Sequence, residues 1–179
     1  MRSYPVTGLL VLILFMSGCV TTKIQSQRDA SFSEEIQRVY VYSSVRMDEE
    51  ELAEAFSQAI ESKFGMRGVA VMGRVKDPLA LETDDMITED VIAFAPTVVL
   101  VLTQTEASTV RTTQGAGMGF TQSEAAVYDA SLYHPETKKR VWRAMISTSR
   151  DSFMTSQDAA AEKIAEKIVN KLIEDGLLG

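Results

Sequence analysis

The sequence predicts an α+β fold, a mixed sheet of about five strands with three packed helices, in the order β-α-β-α-β-β-β-α. Three stretches repeat apolar residues at helical spacing, and five shorter runs are rich in β-branched and aromatic residues. A strand, a crossover helix and a second strand pair in parallel, with right-handed connection. The first half of the chain therefore predicts parallel strands, and the second half predicts a meander.

The first 18 residues are typical of a signal peptide. Arg2 supplies a positive start, Gly8–Phe15 is apolar, and small residues follow at Ser17 and Gly18. The apolar run is shorter than the roughly 20 residues that a membrane-spanning helix needs. We therefore expect residues 1–18 to be removed.

Cys19 is the only cysteine of the chain. The stretch Met16-Ser17-Gly18-Cys19 resembles the lipobox of bacterial lipoproteins, with Met in place of the usual Leu. The resemblance implies cleavage between Gly18 and Cys19 and acylation of Cys19. Several acyl chains anchor a protein firmly, because each buried methylene contributes about 0.8 kcal/mol. The alternatives are an ordinary cleaved signal with an incidental cysteine, or a transmembrane anchor.

The residue after the cysteine predicts the membrane. In the enterobacterial sorting rule, Asp after the lipidated cysteine retains a lipoprotein at the inner membrane. Val20 stands there instead. The resemblance therefore implies transfer to the outer membrane. We expect the domain to face the periplasm, and the cell surface is the alternative.

Residues 19–35 are expected to form the lipidated cysteine and a flexible tether, because Val20–Ser33 is mostly polar. Residues 36–179 are expected to form a single globular domain. A chain of this length buries roughly 68–70% of its unfolded surface, which is enough for a core.

The domain is predicted to begin with a strand, a helix and a second strand. Val39–Tyr42 and Val69–Met72 are short β-rich runs. Asp48 precedes Glu51 at the spacing of a capping box, and Gly65 is expected to end the helix. The apolar stripe of this helix is Leu52, Ala55, Phe56, Ala59, Ile60 and Phe64.

A loop over Pro78–Thr83 is predicted to lead into a second helix, which Asp84 or Thr88 caps and which ends before Pro96. Its apolar side chains are Ile87, Val91 and Phe94. The continuously apolar Val98–Leu102 then predicts a central strand covered on both faces.

Two further strands are predicted at Ala125–Tyr133 and Arg140–Ser149, joined by the turn His134–Lys139. Trp142, Ala144 and Ile146 share one face, which we expect to point inward. Ser156 is expected to cap the last helix, whose apolar stripe is Ala161, Ile164, Ala165, Ile168, Leu172 and Ile173 and which ends at Gly176.

This element order looks like that of the TolB amino-terminal domain, the curli secretion lipoprotein and the lipoproteins that activate peptidoglycan synthases. The hairpin YDASLYHPETKKRVWRA also resembles a hairpin of uncharacterised lipoproteins in that group. It departs from the pattern at Lys138, where glycine usually gives the tight turn. The resemblance implies an envelope lipoprotein.

The stretch Thr103–Gln122 is longer than a tight hairpin requires. Met118 and Phe120 lie among the three glycines of Gly115–Phe120. These glycines are not the phosphate-binding kind, because a strand follows them rather than a helix. Met118 and Phe120 are candidates for contact with a partner, another copy or lipid. The alternative is a mobile loop with two incidental apolar residues.

The sequence gives little indication of a catalytic or metal-binding site. The formal net charge of −7 argues against a nucleic-acid partner. His134 is the only histidine and falls in a turn. Carboxylates of the second helix, namely Asp84, Asp85, Glu89 and Asp90, are expected to stabilise the helix start rather than bind metal. No catalytic residue, metal ligand or cofactor is predicted.

Together these features predict a lipid-anchored envelope protein that acts as a non-enzymatic binding or assembly module. An alternative is a subunit of an oligomeric secretion or pore assembly. A hydrolase of cell wall or lipid has less support, because no placed nucleophile or carboxylate pair is present in the sequence.

Overall fold

A computed structural model describes residues 20–44, 50–76, 84–114, 118–151 and 156–179. These ranges form an α+β fold and confirm the predicted class. The elements within them are β1 Thr21–Arg28, β2 Arg38–Ser44, α1 Glu50–Gly65, β3 Ala70–Val75, α2 Asp84–Phe94, β4 Val98–Gln114, β5 Met118–Tyr133, β6 Arg140–Asp151 and α3 Gln157–Glu174.

The described strands form one mixed sheet in the order β1-β6-β5-β4-β2-β3. β2 lies between β3 and β4 and is parallel to both, which is the pairing predicted for strands joined by crossover helices. β4, β5 and β6 form the predicted antiparallel meander, and β1 pairs antiparallel with β6.

Helices α1 and α3 pack against each other and cover one face of the sheet. Trp142, Ala144 and Ile146 are buried on that face, as predicted. The Ser156 side chain caps α3 by accepting a hydrogen bond from the Ala159 backbone N–H at 3.2 Å, which confirms the predicted cap. The predicted α1 cap at Asp48 lies outside the described residues.

Helix α2 covers part of the opposite face. Tyr40 alternates with the core residues Val39 and Val41 and therefore points away from α1 and α3. Its hydroxyl donates to Asp90 Oδ2 of α2 at 3.3 Å, and Arg74 of β3 pairs with the same carboxylate at 2.5 Å. Burial and the neighbouring Asp90 charge raise the pKa of Tyr40 to about 12.

Two details of the sequence prediction need correction around α2. Thr88 lies within the helix, which begins at Asp84, so Thr88 is not the cap. Val99 and Val101 of β4 are only half-buried, so this strand is fully covered on one face alone. The predicted loop Pro78–Thr83 lies outside the described residues.

The sheet has six strands rather than about five, because residues predicted as a flexible tether form strand β1. Main-chain pairing with β6 runs from Thr21↔Ser149 to Arg28↔Trp142. An edge strand needs apolar side chains on one face only, and Ile24 is the apolar member here. Polar composition therefore concealed the strand.

The β5–β6 connection confirms a turn at His134–Lys139. Lys138 has a φ of 54°, in the left-handed region that usually favours glycine. Hydrogen bonds from His134 N to Lys139 O and from Lys138 N to His134 O, both 2.9 Å, close the turn. A lysine therefore adopts here a backbone conformation that glycine adopts without steric cost.

Candidate functional site

The end of the sheet that carries the start of β1 is the candidate functional region. Thr21 is the second residue after Cys19, while Gly18 and Cys19 lie outside the described residues. The rung of the sheet at Thr21 continues through Ser149 and Ala125 to Ser108. If Cys19 is acylated, this rung is the part of the sheet joined most directly to lipid.

A hydrogen-bonded clasp around Asp175 holds β1 to the domain. Ser26 Oγ of β1 and Trp142 Nε1 of β6 donate to Asp175 Oδ2 at 2.6 and 2.8 Å. Arg28 donates to the Asp175 carbonyl at 2.5 Å and to the Phe32 carbonyl at 2.8 Å. These contacts join β1, β6 and the end of α3, and so hold β1 in the fold.

The clasp favours the ionised form of Asp175. Burial by itself raises the pKa of this carboxyl, but hydrogen bonds from Ser26 and Trp142 and the charge of Lys171 outweigh it. The net effect lowers the pKa below the ordinary value of 3.8. A lowered pKa in the folded state means that the stabilisation is fully present above pH 3.8. It is lost as the pH falls through the folded-state value.

We predict that Asp175→Asn lowers the free energy of unfolding by roughly 1–3 kcal/mol at neutral pH, because buried donors lose a charged acceptor. Urea unfolding of the lipid-free domain measures this loss. The difference between wild type and variant should shrink as the pH falls below 3.8. A difference that stays constant down to low pH would show that ionised Asp175 contributes no stability.

A two-stranded extension projects past the Thr21 rung. We call it the β4–β5 ribbon and define it as Thr109–Gln114 paired with Met118–Glu124. β6 accompanies it only to the rung Asp151↔Ser123, and β2 ends earlier at Ser44↔Thr103. At about 3.3 Å per residue, the six residues from Ser108 to Gln114 extend the ribbon about 20 Å beyond the rung.

Met118 and Phe120 lie on β5 at the far end of this ribbon. Their backbones pair with Gln114 and Thr113, with a register shift between the two rungs. Gly115–Gly117 lie outside the described residues. The structure thus places both predicted contact residues on the extension, and their role as a contact stays a prediction.

The face of the sheet opposite α1 and α3 carries polar side chains that bind one another. Arg143 Nε donates to Asp129 Oδ2 at 2.6 Å, and Ser131 Oγ donates to Asp129 Oδ1 at 2.7 Å. These bonds join β5 and β6 across the face.

The other predicted candidates stay separate from this region. His134 is in the turn at the opposite end of the sheet, where Nε2 lies 3.3 Å from Glu34 Oε1. Asp90 pairs with Arg74, and the side chains of Asp84 and Asp85 are outside the description. Among the described residues, no group of three or more potential metal ligands comes together. None of the helices in the described ranges is both long and apolar enough to span a bilayer.

Sequence reasoning missed the clasp residues Ser26, Arg28 and Asp175. The available signal was the alternation of Thr22, Ile24 and Ser26 along β1, which has the period of a strand. The weak apolar content of the segment masked it.

Neither a protein-family model nor a curated protein sequence matches this chain. Solved structures do resemble it. A PelC dodecamer from Paraburkholderia phytofirmans is similar with a TM-score of 0.54 and 11% identity, over 83% of this chain and 95% of that one. A variant PelC dodecamer from the same organism gives 0.54 and 13%, over 82% and 94%. Lipoprotein GNA1162 from Neisseria meningitidis gives 0.47 and 15%, over 76% and 98%. At these identities, the likeness to PelC establishes a shared fold.

Proposed function

We propose that the protein is a lipid-anchored, non-enzymatic module of the bacterial cell envelope that assembles with further copies of itself. The observation that carries the assembly is the fold shared with PelC, which forms a dodecamer, over 95% of the PelC chain. The anchor rests on Cys19 and the lipobox before it.

The position of β1 supports a short, stiff connection to lipid. Only Val20 separates Cys19 from the first strand residue, Thr21. The clasp at Asp175 then holds β1 in the fold. An anchored domain of this kind keeps a limited range of orientations at the membrane, which favours lateral assembly of neighbouring copies.

The two edges of the sheet are suitable surfaces for assembly. A ring needs two different surfaces that bind head to tail. Among the described strands, β1 and β3 are the edges of the sheet, and they differ in length, neighbours and side chains. Edge strands present unpaired backbone groups that another chain can satisfy. Contact between β1 of one copy and β3 of the next is therefore head to tail, and it forms a ring when the rotation between copies closes.

The polar groups of the described domain support a role without catalysis. Asp129, Asp90 and Asp175 each bind basic or hydroxyl side chains within the fold. These contacts join neighbouring elements of the fold, which is a structural role. The module is therefore proposed to act by binding and assembly.

Two finer features complete the proposal. Val20 after the cysteine supports the outer membrane, and we propose that the domain faces the periplasm. The element order supports a place beside the TolB amino-terminal, curli-secretion and synthase-activator lipoproteins. An oligomeric secretion assembly is the variant of this function that the PelC likeness favours, since PelC is itself a multimer.

Crosslinking of intact cells tests the proposal. Membranes are separated on a density gradient after treatment with an amine-reactive crosslinker, and the protein is detected by a carboxy-terminal tag. We expect a ladder of multimers in the outer-membrane fraction. A protein that is found only as a monomer, or only in the periplasmic extract, would contradict it.

A further inference from the structure

Along the strand direction, the proposed anchor at Cys19 lies between two parts of the protein. One is the body of the domain, which is the sheet with its packed helices, and the other is the β4–β5 ribbon. From the Thr21 rung, β1 runs to Arg28 beside β6. Helix α3 ends beside Ser26 and Arg28, as the clasp at Asp175 shows, so the body lies on that side of the rung. The ribbon extends from Ser108 in the opposite direction.

This order restricts how the domain can meet a bilayer. Cys19 can lie no more than about 7 Å from Thr21, because two residues span at most about 3.6 Å each. The body carries charged surface pairs such as Lys63–Glu162 and Lys139–Asp29, and charged groups are costly inside hydrocarbon. The body must therefore stay on the aqueous side. The ribbon then points towards the membrane or lies along its surface.

The composition of the ribbon end suits that location. No Asp, Glu, Lys or Arg occurs between Arg111 and Glu124, in a chain of which 24% is charged. Met118 and Phe120 are the large apolar residues of this charge-free segment. Its remaining side chains are mainly Thr, Ser, Gln and Gly. Uncharged polar groups can hydrogen-bond to lipid headgroups, and the aromatic and thioether side chains favour the apolar boundary.

The backbone of the ribbon limits the depth of contact. Beyond Ser123 in β5, only β4 and β5 pair within the described residues, so the outer edges of the ribbon have no strand partner there. Unpaired backbone groups cost several kcal/mol each in hydrocarbon. The headgroup region, which contains water and polar groups, satisfies them.

We propose that the end of the β4–β5 ribbon, with Met118 and Phe120, lies in the headgroup region of the bilayer that holds Cys19. This inference rests on the proposed lipid anchor and extends it. The domain is held at two points, the acylated cysteine and the ribbon end, which together set the tilt of the sheet. We expect contact with zwitterionic and anionic lipids alike, because the segment between Arg111 and Glu124 carries no charge.

The test uses the fact that acylation of Cys19 leaves the chain without a free thiol. Full-length acylated protein carrying Met118→Cys is labelled with an environment-sensitive fluorophore and reconstituted into phosphatidylethanolamine–phosphatidylglycerol vesicles. The matched control is Glu136→Cys, in the turn at the opposite end of the sheet. We expect a blue shift at position 118 and loss of its emission when the vesicles contain brominated lipid. Position 136 should show neither effect.

The outcomes separate the two proposals. The protein could float with the vesicles while a water-soluble quencher reduces the emission of the labels at positions 118 and 136 equally. This result overturns the ribbon contact alone. A blue shift that increases with protein density, without quenching of the emission by brominated lipid, also overturns it. Another copy of the protein then covers the ribbon. Protein that does not float overturns the anchor and the ribbon contact together.

A second variant checks that the side chains matter. Phe120→Ser, added to the labelled Met118→Cys protein, should weaken quenching by brominated lipid while flotation stays complete. Thermal melts should stay unchanged, because within the described residues the ribbon extends past the last rungs of β2 and β6. Unchanged quenching would show that Phe120 makes no contact with lipid and would overturn its part in the proposal.

Discussion

Trp142→Ala should lower the free energy of unfolding by roughly 3–5 kcal/mol, the range typical of deleting a fully buried aromatic side chain. The indole is 1% exposed and packs on the helix-covered face of β6. The substitution also removes the 2.8 Å hydrogen bond to Asp175 and so weakens the clasp. The melting temperature should fall by about 2–4 °C for each kcal/mol lost, as in other domains of this size.

Two variants serve as controls for this measurement. Met145→Ala lies on the same strand but points to the other face and is 45% exposed, so it should change stability little. Trp142→Phe keeps an aromatic ring in the core but loses the hydrogen bond, so its effect should lie between the other two. Equal melting of Trp142→Ala and Met145→Ala would mean that the ring does not stabilise the core.

Cys19→Ala should abolish acylation and remove the mature protein from the membrane fraction. No other cysteine can accept a lipid. The variant should accumulate as an uncleaved precursor or be released. Metabolic labelling with a palmitate analogue, followed by fractionation, measures both effects. Equal labelling of variant and wild type would disprove the assignment of Cys19.

A second substitution tests sorting separately from acylation. Val20→Asp keeps the cysteine but introduces the residue that retains enterobacterial lipoproteins at the inner membrane. We expect the labelled protein to move to the inner-membrane fraction of a density gradient. An unchanged outer-membrane position would contradict the sorting assignment and leave acylation of Cys19 in place.

Much of the fold can be predicted from the sequence, because its core elements carry a clear hydrophobic period. The stripe of α3 with its Ser156 cap and the inward face at Trp142 are examples. Strand β1 could not be recognised in this way. It is stabilised by main-chain pairing with β6 and by the polar clasp, and neither leaves an apolar pattern in the sequence.

The candidate site was predictable only in part. The length of Thr103–Gln122 and the apolar residues among its glycines indicated an extension. Its direction relative to Cys19 depends on the register of four strands, from Thr21 through Ser149 and Ala125 to Ser108. Such register comes from tertiary pairing and cannot be read from any one segment. The clasp likewise joins Ser26, Trp142 and Asp175, which are far apart in the chain.

Native mass spectrometry of the membrane-extracted protein tests the central claim most directly, because one spectrum reports both acylation and copy number. We expect a discrete multimer in which every subunit begins at Cys19 and carries the mass of its acyl chains. A monomer without added lipid mass, at any protein concentration, would contradict both the anchor and the assembly.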